Sequence, residues 1–292
     1  MGWPKTLELV KMRFEGLKKI QHYFKAEEID FERCSGFEIL NDNNALQQID
    51  EVNEKLKTIT CLEKTFFLNQ DQIAKFGLQK TEFLVENPCE GSLHSGKLLQ
   101  KLLEKSQSLG VEFLFGTEVL KILEDENKVQ IITQFFQIET QKLVIATNAF
   151  ANDLISEVDL IPVRGQILLT EPLENLQLKG TFHYDEGYIY FRNLGNRILL
   201  GGARNQDFET EQTTALETTE FLQNYLENFL KEVILPNQEF EISQRWSGIM
   251  AMGKEKSPIV NQISKRQIVA VRLSGMGVAL APKIGELVGD LL

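Results

Sequence analysis

The stretch Ile268–Pro282 constrains the fold of this chain more than any other stretch. Its apolar start predicts a short buried strand over 268–273. Gly275 and Gly277 then predict a tight turn, and the small and apolar residues after them predict a helix to Leu292. A strand that leads through a glycine turn into a helix points free backbone N–H groups and the positive end of the helix dipole at one place. Because glycine lets a bulky ligand approach the main chain, this stretch predicts a site for a phosphate, a carboxylate or an electron-rich ring.

The same turn does not start a dinucleotide-binding unit. Gly275 and Gly277 match the first two glycines of G-x-G-x-x-G, but the third position is Leu280. The sequence ends at Leu292, without a second strand and the acidic ribose partner that follows about 20 residues on. A plain helix start and a ligand-binding helix start are both consistent with this short motif alone.

Composition excludes several classes of protein. The chain has a net charge of −11 and a pI near 5.0, which argues against nucleic acids and anionic membranes as partners. No apolar run has the roughly 20 residues that a membrane helix needs, and the start does not resemble a signal peptide. The three cysteines are scattered and no histidine lies at metal-ligand spacing, so we expect reduced thiols, no metal site and a cytoplasmic protein.

The middle of the chain predicts two kinds of sheet. Five short strands are expected over 111–115, 118–123, 128–133, 135–139 and 143–146. The last, Leu143–Ala146, is uniformly apolar and is therefore predicted to be a central strand of a parallel sheet, with ligand-binding residues beyond its carboxyl end. Strands over 162–170, 181–185, 187–193 and 197–203 alternate in polarity and predict an antiparallel sheet, followed by a helix over 213–234. Strand alternation places Tyr188, Tyr190 and Arg192 on one face, which can bind a small anion or simply face solvent.

Six segments together resemble a known family. The chain is similar to the FAD-dependent oxidoreductases of the D-amino-acid oxidase, glycine oxidase and sarcosine oxidase group, the DAO family, over nearly its whole length. The matching segments are Gly-x-x-x-x-Gly-Lys-Leu-Leu from Gly91, Leu-Val-Ile-Ala-Thr-Asn-Ala-Phe (143–150), Pro-Val-Arg-Gly-Gln (162–166), Tyr-Ile-Tyr-Phe-Arg (188–192), Arg-Trp-Ser-Gly (245–248) and Gly-Met-Gly-Val-Ala-Leu-Ala-Pro (275–282).

The resemblance implies a mixed α/β (α+β) fold in which an incomplete, Rossmann-like FAD-binding domain is interleaved with an antiparallel-sheet substrate domain. The expected FAD-binding segments are 1–26, 87–157 and 264–292, and the expected substrate segments are 27–86 and 158–263. The implied activity is FAD-dependent oxidation of a C–N bond in a small amine or amino acid.

The resemblance also implies site residues. The cofactor-binding candidates are Val119, Ala146, Thr147, Asn148, Gly275, Met276, Gly277, Val278 and Ala279, where the last group would present backbone N–H groups to the flavin ring. The substrate-binding candidates are Arg164, Tyr188, Tyr190, Arg192 and Trp246.

Two departures from the family pattern matter. The family begins with a strand, G-x-G-x-x-G and a helix, and this sequence has none of them, so we expect a truncated chain whose diphosphate site is missing and whose apolar surface is exposed. The carboxylate-binding arginines of the family align with Met250 and Gly275 here, which leaves Arg192 or Arg272 as substitutes. The alternative hypothesis is a non-catalytic module that binds a small ligand on the face with Tyr188, Tyr190 and Arg192.

Overall fold

The structure is a computed structural model that describes residues 2–156 and 158–292. The start of the first predicted FAD-binding segment, residue 1, and the end of the second, residue 157, lie outside the described residues. The helices are α1 Trp3–Tyr23, α2 Ala26–Ile29, α3 Asn43–Gln47, α4 Ile49–Thr60, α5 Asp71–Phe76, α6 Ser95–Ser108, α7 Glu220–Phe229 and α8 Gly277–Leu291.

The strands pair in three sheets. They are β1 Gly36–Leu40, β2 Phe67–Leu68, β3 Phe83–Asn87, β4 Val119–Glu124, β5 Val129–Thr133, β6 Gln137–Thr140, β7 Leu143–Ile145, β8 Ile161–Thr170, β9 Thr181–Tyr184, β10 Ile189–Leu194, β11 Arg197–Gly202, β12 Ile242–Met252, β13 Ile259–Gln262 and β14 Gln267–Val271. Their orders are β12-β8-β11-β10-β9-β1-β3-β2, β13-β14-β7 and β4-β5-β6. The mixed α/β fold that the sequence predicts is confirmed.

The chain forms two compact units, and each contains several segments. Unit 1 consists of residues 1–29, 95–163 and 250–292, and unit 2 consists of residues 30–94 and 164–249. These limits differ from the predicted segments at 250–263, because β13 pairs along its length with β14 of unit 1. They also differ at 87–94, because Ser92 and Glu32 exchange backbone hydrogen bonds within unit 2.

Unit 2 has one core on one face of its sheet. Alternate residues of β10 and β11, including Ile189, Phe191, Ile198 and Leu200, are fully or almost fully buried there, together with Leu222 and Leu226 of α7. The predicted antiparallel arrangement of β8, β9, β10 and β11 is confirmed by their register. The sequence did not predict that β1 joins β9 in parallel.

Helix α7 is shorter than predicted. It begins at Glu220 rather than at residue 213, because Thr219 takes an extended conformation and its hydroxyl accepts a hydrogen bond from the Leu222 N–H. Its last turn widens into a π-helix over Leu230–Ile234.

Unit 1 packs α1 against α8. Apolar residues from Leu7 to Phe24 recur in the sequence at the spacing that predicts a helix, and the structure confirms it: α1 spans Trp3–Tyr23, with Ile20 and the next residue after the helix, Phe24, buried. The two helices approach so closely at Gly16 that a Cβ atom there would lie 1.8 Å from the carbonyl oxygen of Ala279. No helix in the described part of the chain is both long and apolar enough to cross a membrane.

Two predictions for unit 1 are wrong. Residues 111–115 form no strand, because no strand of the described residues pairs with them, and Val111, Phe113, Leu114 and Phe115 are exposed. The strand β7 is at the edge of its sheet rather than at the centre, because β14 is its one neighbour among the described strands. Of its three residues only Ile145 is buried.

Candidate functional site

The carboxyl ends of β7 and β14 meet at one edge of their sheet. The two strands are parallel, with Val144 opposite Ile268 and Ile145 opposite Val269. The predicted cofactor segment 146–148, which follows β7, and the turn that follows β14 therefore lie at the same edge. The 3₁₀-helix Asn148–Asp153 packs against β14 there. The structure thus brings together eight of the nine cofactor-binding candidates, all except Val119, which begins β4 in a different sheet.

The turn between β14 and α8 takes an unusual backbone conformation. Arg272, Ser274 and Gly275 all have positive φ angles, of 60°, 49° and 80°. Strained backbone of this kind persists where surrounding contacts hold it, and it is concentrated at functional sites. Arg272 is held by its side chain, which donates a hydrogen bond to the Ser257 carbonyl oxygen and forms an ion pair with Asp159.

Helix α8 begins without a cap. No side chain accepts a hydrogen bond from its first backbone N–H groups, and the residue before it, Met276, is not a capping residue type. The N–H groups of the first turn have no partner inside an α-helix, so those of Gly277, Val278 and Ala279 are donors for a group outside it. The hydroxyl oxygen of Ser274 is also buried and has no hydrogen-bond partner in residues 2–156 and 158–292.

These features fit the ring end of FAD and not the whole cofactor. The turn offers uncapped backbone donors and an orphaned hydroxyl, which suit an electron-rich ring that gains negative charge on reduction. The sequence contains no strand–G-x-G-x-x-G–helix unit to hold the diphosphate. Ser274 was not among the residues predicted from the sequence, although it stands directly before Gly275.

The substrate-binding candidates in unit 2 do not share one face of the sheet. Arg164 precedes Gln166 and Leu168 by two and four residues on β8, and Leu168 belongs to the core beneath α7. Strand alternation therefore places Arg164 on the α7 face. Tyr190 and Arg192 alternate with buried Ile189 and Phe191 and lie on the opposite face, which we call the open face. Sequence alternation predicted this arrangement of β10, and it is confirmed.

The guanidinium of Arg164 is already paired. It is 1% exposed and donates to both carboxylate oxygens of the equally buried Glu211, at 3.1 Å from Nε to Oε2 and 2.6 Å from Nη2 to Oε1. Its Nη1 also donates to Glu217 at 3.3 Å. The hydrogen bonds that Arg164 donates to Glu211 raise the pKa of Arg164 above its ordinary value. Arg164 is therefore a buried structural cation in unit 2.

Arg192 lies on the open face without such a partner. Its side chain is partly buried, and no carboxylate of the described residues forms an ion pair with it. Burial lowers its pKa, and the nearby Cys34 and Glu32 only partly oppose this effect. A half-buried guanidinium without a counterion favours binding of an anion.

Tyr190 stands beside Arg192 on the same face. Its ring crosses Gly201 of β11, where a Cβ atom would lie 2.8 Å from the Tyr190 ring. Its phenol oxygen makes no hydrogen bond with the described residues, and burial raises its pKa to about 12. Arg245 of β12 contacts Gln223 and Glu227 of α7, so the next residue, Trp246, faces the open side by alternation.

Replacing Tyr190 with Phe should make the decrease in the free energy of unfolding at high pH smaller. The unfolded phenol loses its proton near pH 10, and the folded one near 12. The contribution of Tyr190 to stability is therefore complete below pH 10 and is lost as the pH rises through about 12. Urea unfolding of wild type and Tyr190→Phe from neutral to high pH checks this. Tyr23→Phe, at an exposed tyrosine, is the control. If the free energy of unfolding falls with pH in the same way for wild type and Tyr190→Phe, the prediction is contradicted.

Comparison with known proteins places this chain in a family. A sequence model described as "FAD dependent oxidoreductase" (DAO) matches residues 2–291. The chain belongs to the DAO family. The curated relative "Probable oxidoreductase OrdL" of Rhizobium meliloti (strain 1021) is 24% identical over 234 residues, which cover 78% of this chain and 53% of that protein. The match thus spans about half the length of that relative.

Solved structures show the same fold. L-proline dehydrogenase from P. horikoshii has a TM-score of 0.85 at 20% identity, covering 97% of this chain and 78% of the other. Glycine oxidase from Geobacillus kaustophilus has a TM-score of 0.81 at 19% identity, covering 97% and 77%. The family and the fold that the sequence resemblance implied are both confirmed.

Proposed function

We propose that this chain is part of an FAD-dependent oxidoreductase that oxidises the C–N bond of a small amine or amino acid. The observation that carries the proposal is the uncapped start of α8 beside the carboxyl ends of β7 and β14. The family match supports it, as do the two structural neighbours, whose names describe oxidation of amino acids. Bound FAD would supply the electron acceptor for this chemistry.

Each unit contains residues with a proposed binding role. In unit 1, Gly275–Ala279 would hold the flavin ring through backbone N–H groups, with the helix dipole of α8 stabilising negative charge on the ring. The hydroxyl of Ser274 adds a donor at the same turn. In unit 2, Arg192 would bind the substrate carboxylate and Tyr190 would donate a hydrogen bond to it. Arg272 is less suited, because Asp159 already neutralises it.

We propose further that residues outside 1–292 hold the FAD diphosphate. The sequence has no G-x-G-x-x-G unit, and one edge of β7 has no partner among the described strands. Exposed apolar side chains at Val111, Phe113, Leu114 and Phe115 support the same idea, because a neighbouring strand or helix would cover them.

The chain by itself should therefore retain little FAD. After incubation with FAD and gel filtration, we expect almost no visible flavin absorbance in the protein peak, since the diphosphate has no anchor. A glycine oxidase carried through the same column is the positive control. Retention of one FAD per chain would contradict the proposal that residues outside 1–292 hold the diphosphate.

A longer polypeptide tests the function itself. If a strand–G-x-G-x-x-G–helix segment precedes residue 2, we expect FAD to be retained. Its visible absorbance should then bleach without oxygen when a suitable amine or amino acid is added. Retained FAD that no member of an amine and amino-acid panel reduces would contradict the proposed reaction. If that polypeptide binds small anions but not FAD, the second candidate, a binding module centred on Arg192, replaces the first.

A further inference from the structure

A second arginine, Arg204, borders the open face of unit 2. It begins the short 3₁₀-helix Arg204–Gln206 directly after β11. The central carbon of its guanidinium lies 5.2 Å from the ring centre of Tyr188 and 5.2 Å from that of Phe208. The two rings meet edge to face, 5.8 Å apart. Cation–π contacts hold a guanidinium in place without using its N–H groups as donors, so these groups stay available for hydrogen bonds to a carboxylate.

Arg204 has no acidic partner among the described residues. By comparison, ion pairs with carboxylates are formed by Arg164, Arg197, Arg245 and Arg272. By contrast, no carboxylate of the described residues pairs with Arg204 or with Arg192, although both are partly buried. In a chain with 42 acidic and 31 basic residues, two unpaired cations on one surface form a local excess of positive charge.

The two arginines lie on either side of Tyr190. Tyr188 lies in the turn just before β10, and Tyr190 and Arg192 follow at alternate positions along β10, so the Cα atoms of Tyr188 and Arg192 are at most about 14 Å apart. Arg204 stacks on Tyr188, and its charge also acts on the phenol of Tyr190 by lowering the pKa against the effect of burial. Arg192, Tyr190 and Arg204 thus form a row with a cation at each end and a hydroxyl donor between them.

We propose that this row binds substrates with two carboxylate groups, one at Arg192 and one at Arg204. The inference rests on the proposed function and narrows its substrate class to amines or amino acids that carry a second acid group. A substrate with one carboxylate would leave one desolvated guanidinium unpaired, and such mismatches are costly. Arg204 is then a specificity-determining residue and not only a stacking partner of Tyr188 and Phe208.

Ligand binding to this chain tests the proposal without FAD. Isothermal titration at constant ionic strength compares glutarate, which has two carboxylates, with butyrate, which has one. We expect glutarate to bind at least tenfold more tightly, equivalent to about 1.4 kcal/mol. Arg204→Gln should reduce glutarate to the affinity of butyrate and leave butyrate unchanged. Arg192→Gln should weaken both ligands. Arg197→Gln, at an arginine already paired with Glu171, is the matched control and should change neither.

The outcomes separate this inference from the proposed function. Equal affinity of the wild-type chain for glutarate and butyrate overturns the inference and leaves Arg192 as a site for one carboxylate. This comparison needs no variant and does not depend on whether Arg204→Gln folds. If Arg204→Gln lowers the affinity for glutarate and for butyrate by the same factor, the inference is also overturned, because a purely structural role of Arg204 would have that effect. If neither ligand binds, the inference fails and so does the proposed carboxylate site at Arg192, whereas FAD retention by the longer polypeptide tests the redox function separately.

Discussion

Replacing Glu211 with Gln should destabilise the chain by about 3–5 kcal/mol, because it leaves the guanidinium of Arg164 buried without its charged partner. Arg164 and Glu211 are each 1% exposed. Glu211 also accepts a hydrogen bond from the side chain of Gln166 at 2.8 Å, which holds β8 and the segment around residue 211 together. The urea unfolding midpoint of the purified variant, compared with wild type, checks the prediction.

Glu217→Gln is the matched control, because Glu217 contacts the same guanidinium from an exposed position. Its side chain is 70% exposed and lies 3.3 Å from Nη1 of Arg164. An exposed pair of this kind contributes at most about 1 kcal/mol. If Glu211→Gln and Glu217→Gln lower the free energy of unfolding by the same amount, Arg164 is not the buried structural cation that the geometry describes.

A double replacement distinguishes the effect of the two charges from the effect of the volume that the two side chains fill. Arg164→Met combined with Glu211→Leu removes both charges, and apolar replacement of a buried pair is often neutral or stabilising. We therefore expect the double variant to be more stable than Glu211→Gln, with any remaining loss due to the hydrogen bond from Gln166 that residue 211 no longer accepts. A double variant that is less stable than the single one would contradict this account.

The second large effect is expected at Gly16. Replacing it with Ala should destabilise the chain by at least about 1–3 kcal/mol, because overpacked side chains force the backbone to shift. The new methyl group would lie 1.8 Å from the carbonyl oxygen of Ala279, and backbone cannot move aside as a flexible side chain can. Ala279 lies in the first turn of α8, so the same change should displace the backbone donors of the proposed flavin site. Thermal and urea unfolding of the variant measure the loss.

Gly285→Ala is the control for helix propensity. Gly285 also lies in a helix, but nothing is within 4 Å of the position of its missing Cβ atom. Alanine there should stabilise the chain by about 0.5–1 kcal/mol. Helix propensity alone predicts the same gain at Gly16, so a stabilised Gly16→Ala protein would show that α1 and α8 are not in close contact.

The sequence predicted local structure well where one face of an element is buried. The spacing of Leu7 to Phe24 predicted α1, and the alternation of Tyr188, Tyr190 and Arg192 predicted that Tyr190 and Arg192 of β10 face away from the core. The turn residues at 125–127 and at 194–196 likewise indicate hairpins, and the strands on either side of each turn do pair. These patterns depend on neighbours a few residues apart in the chain, and such neighbours are visible in the sequence.

Predictions failed where the answer depends on distant partners. The apolar run at 111–115 was expected to be a strand, and β7 was expected to be central, but a strand needs neighbours that periodicity does not reveal. The ion pair of Arg164 was likewise not visible in the sequence, in which its Pro-Val-Arg-Gly-Gln segment matched the family pattern for a substrate-binding residue. Its partner, Glu211, is 47 residues away and could not be identified from the sequence.

The turn after β14 shows what the sequence determined and what the tertiary structure determined. The sequence by itself determined that a strand, a glycine turn and a helix follow one another from Ile268, because residue type sets local conformation. Only the tertiary structure decided that β14 is the strand parallel to β7 and that the Ser274 hydroxyl is buried without a hydrogen-bond partner in the described part of the chain. In unit 2, only the tertiary structure distinguished the paired Arg164 from the unpaired Arg192 and Arg204. Charge pairing depends on which side chains meet across the fold, and that is decided by packing over the whole unit.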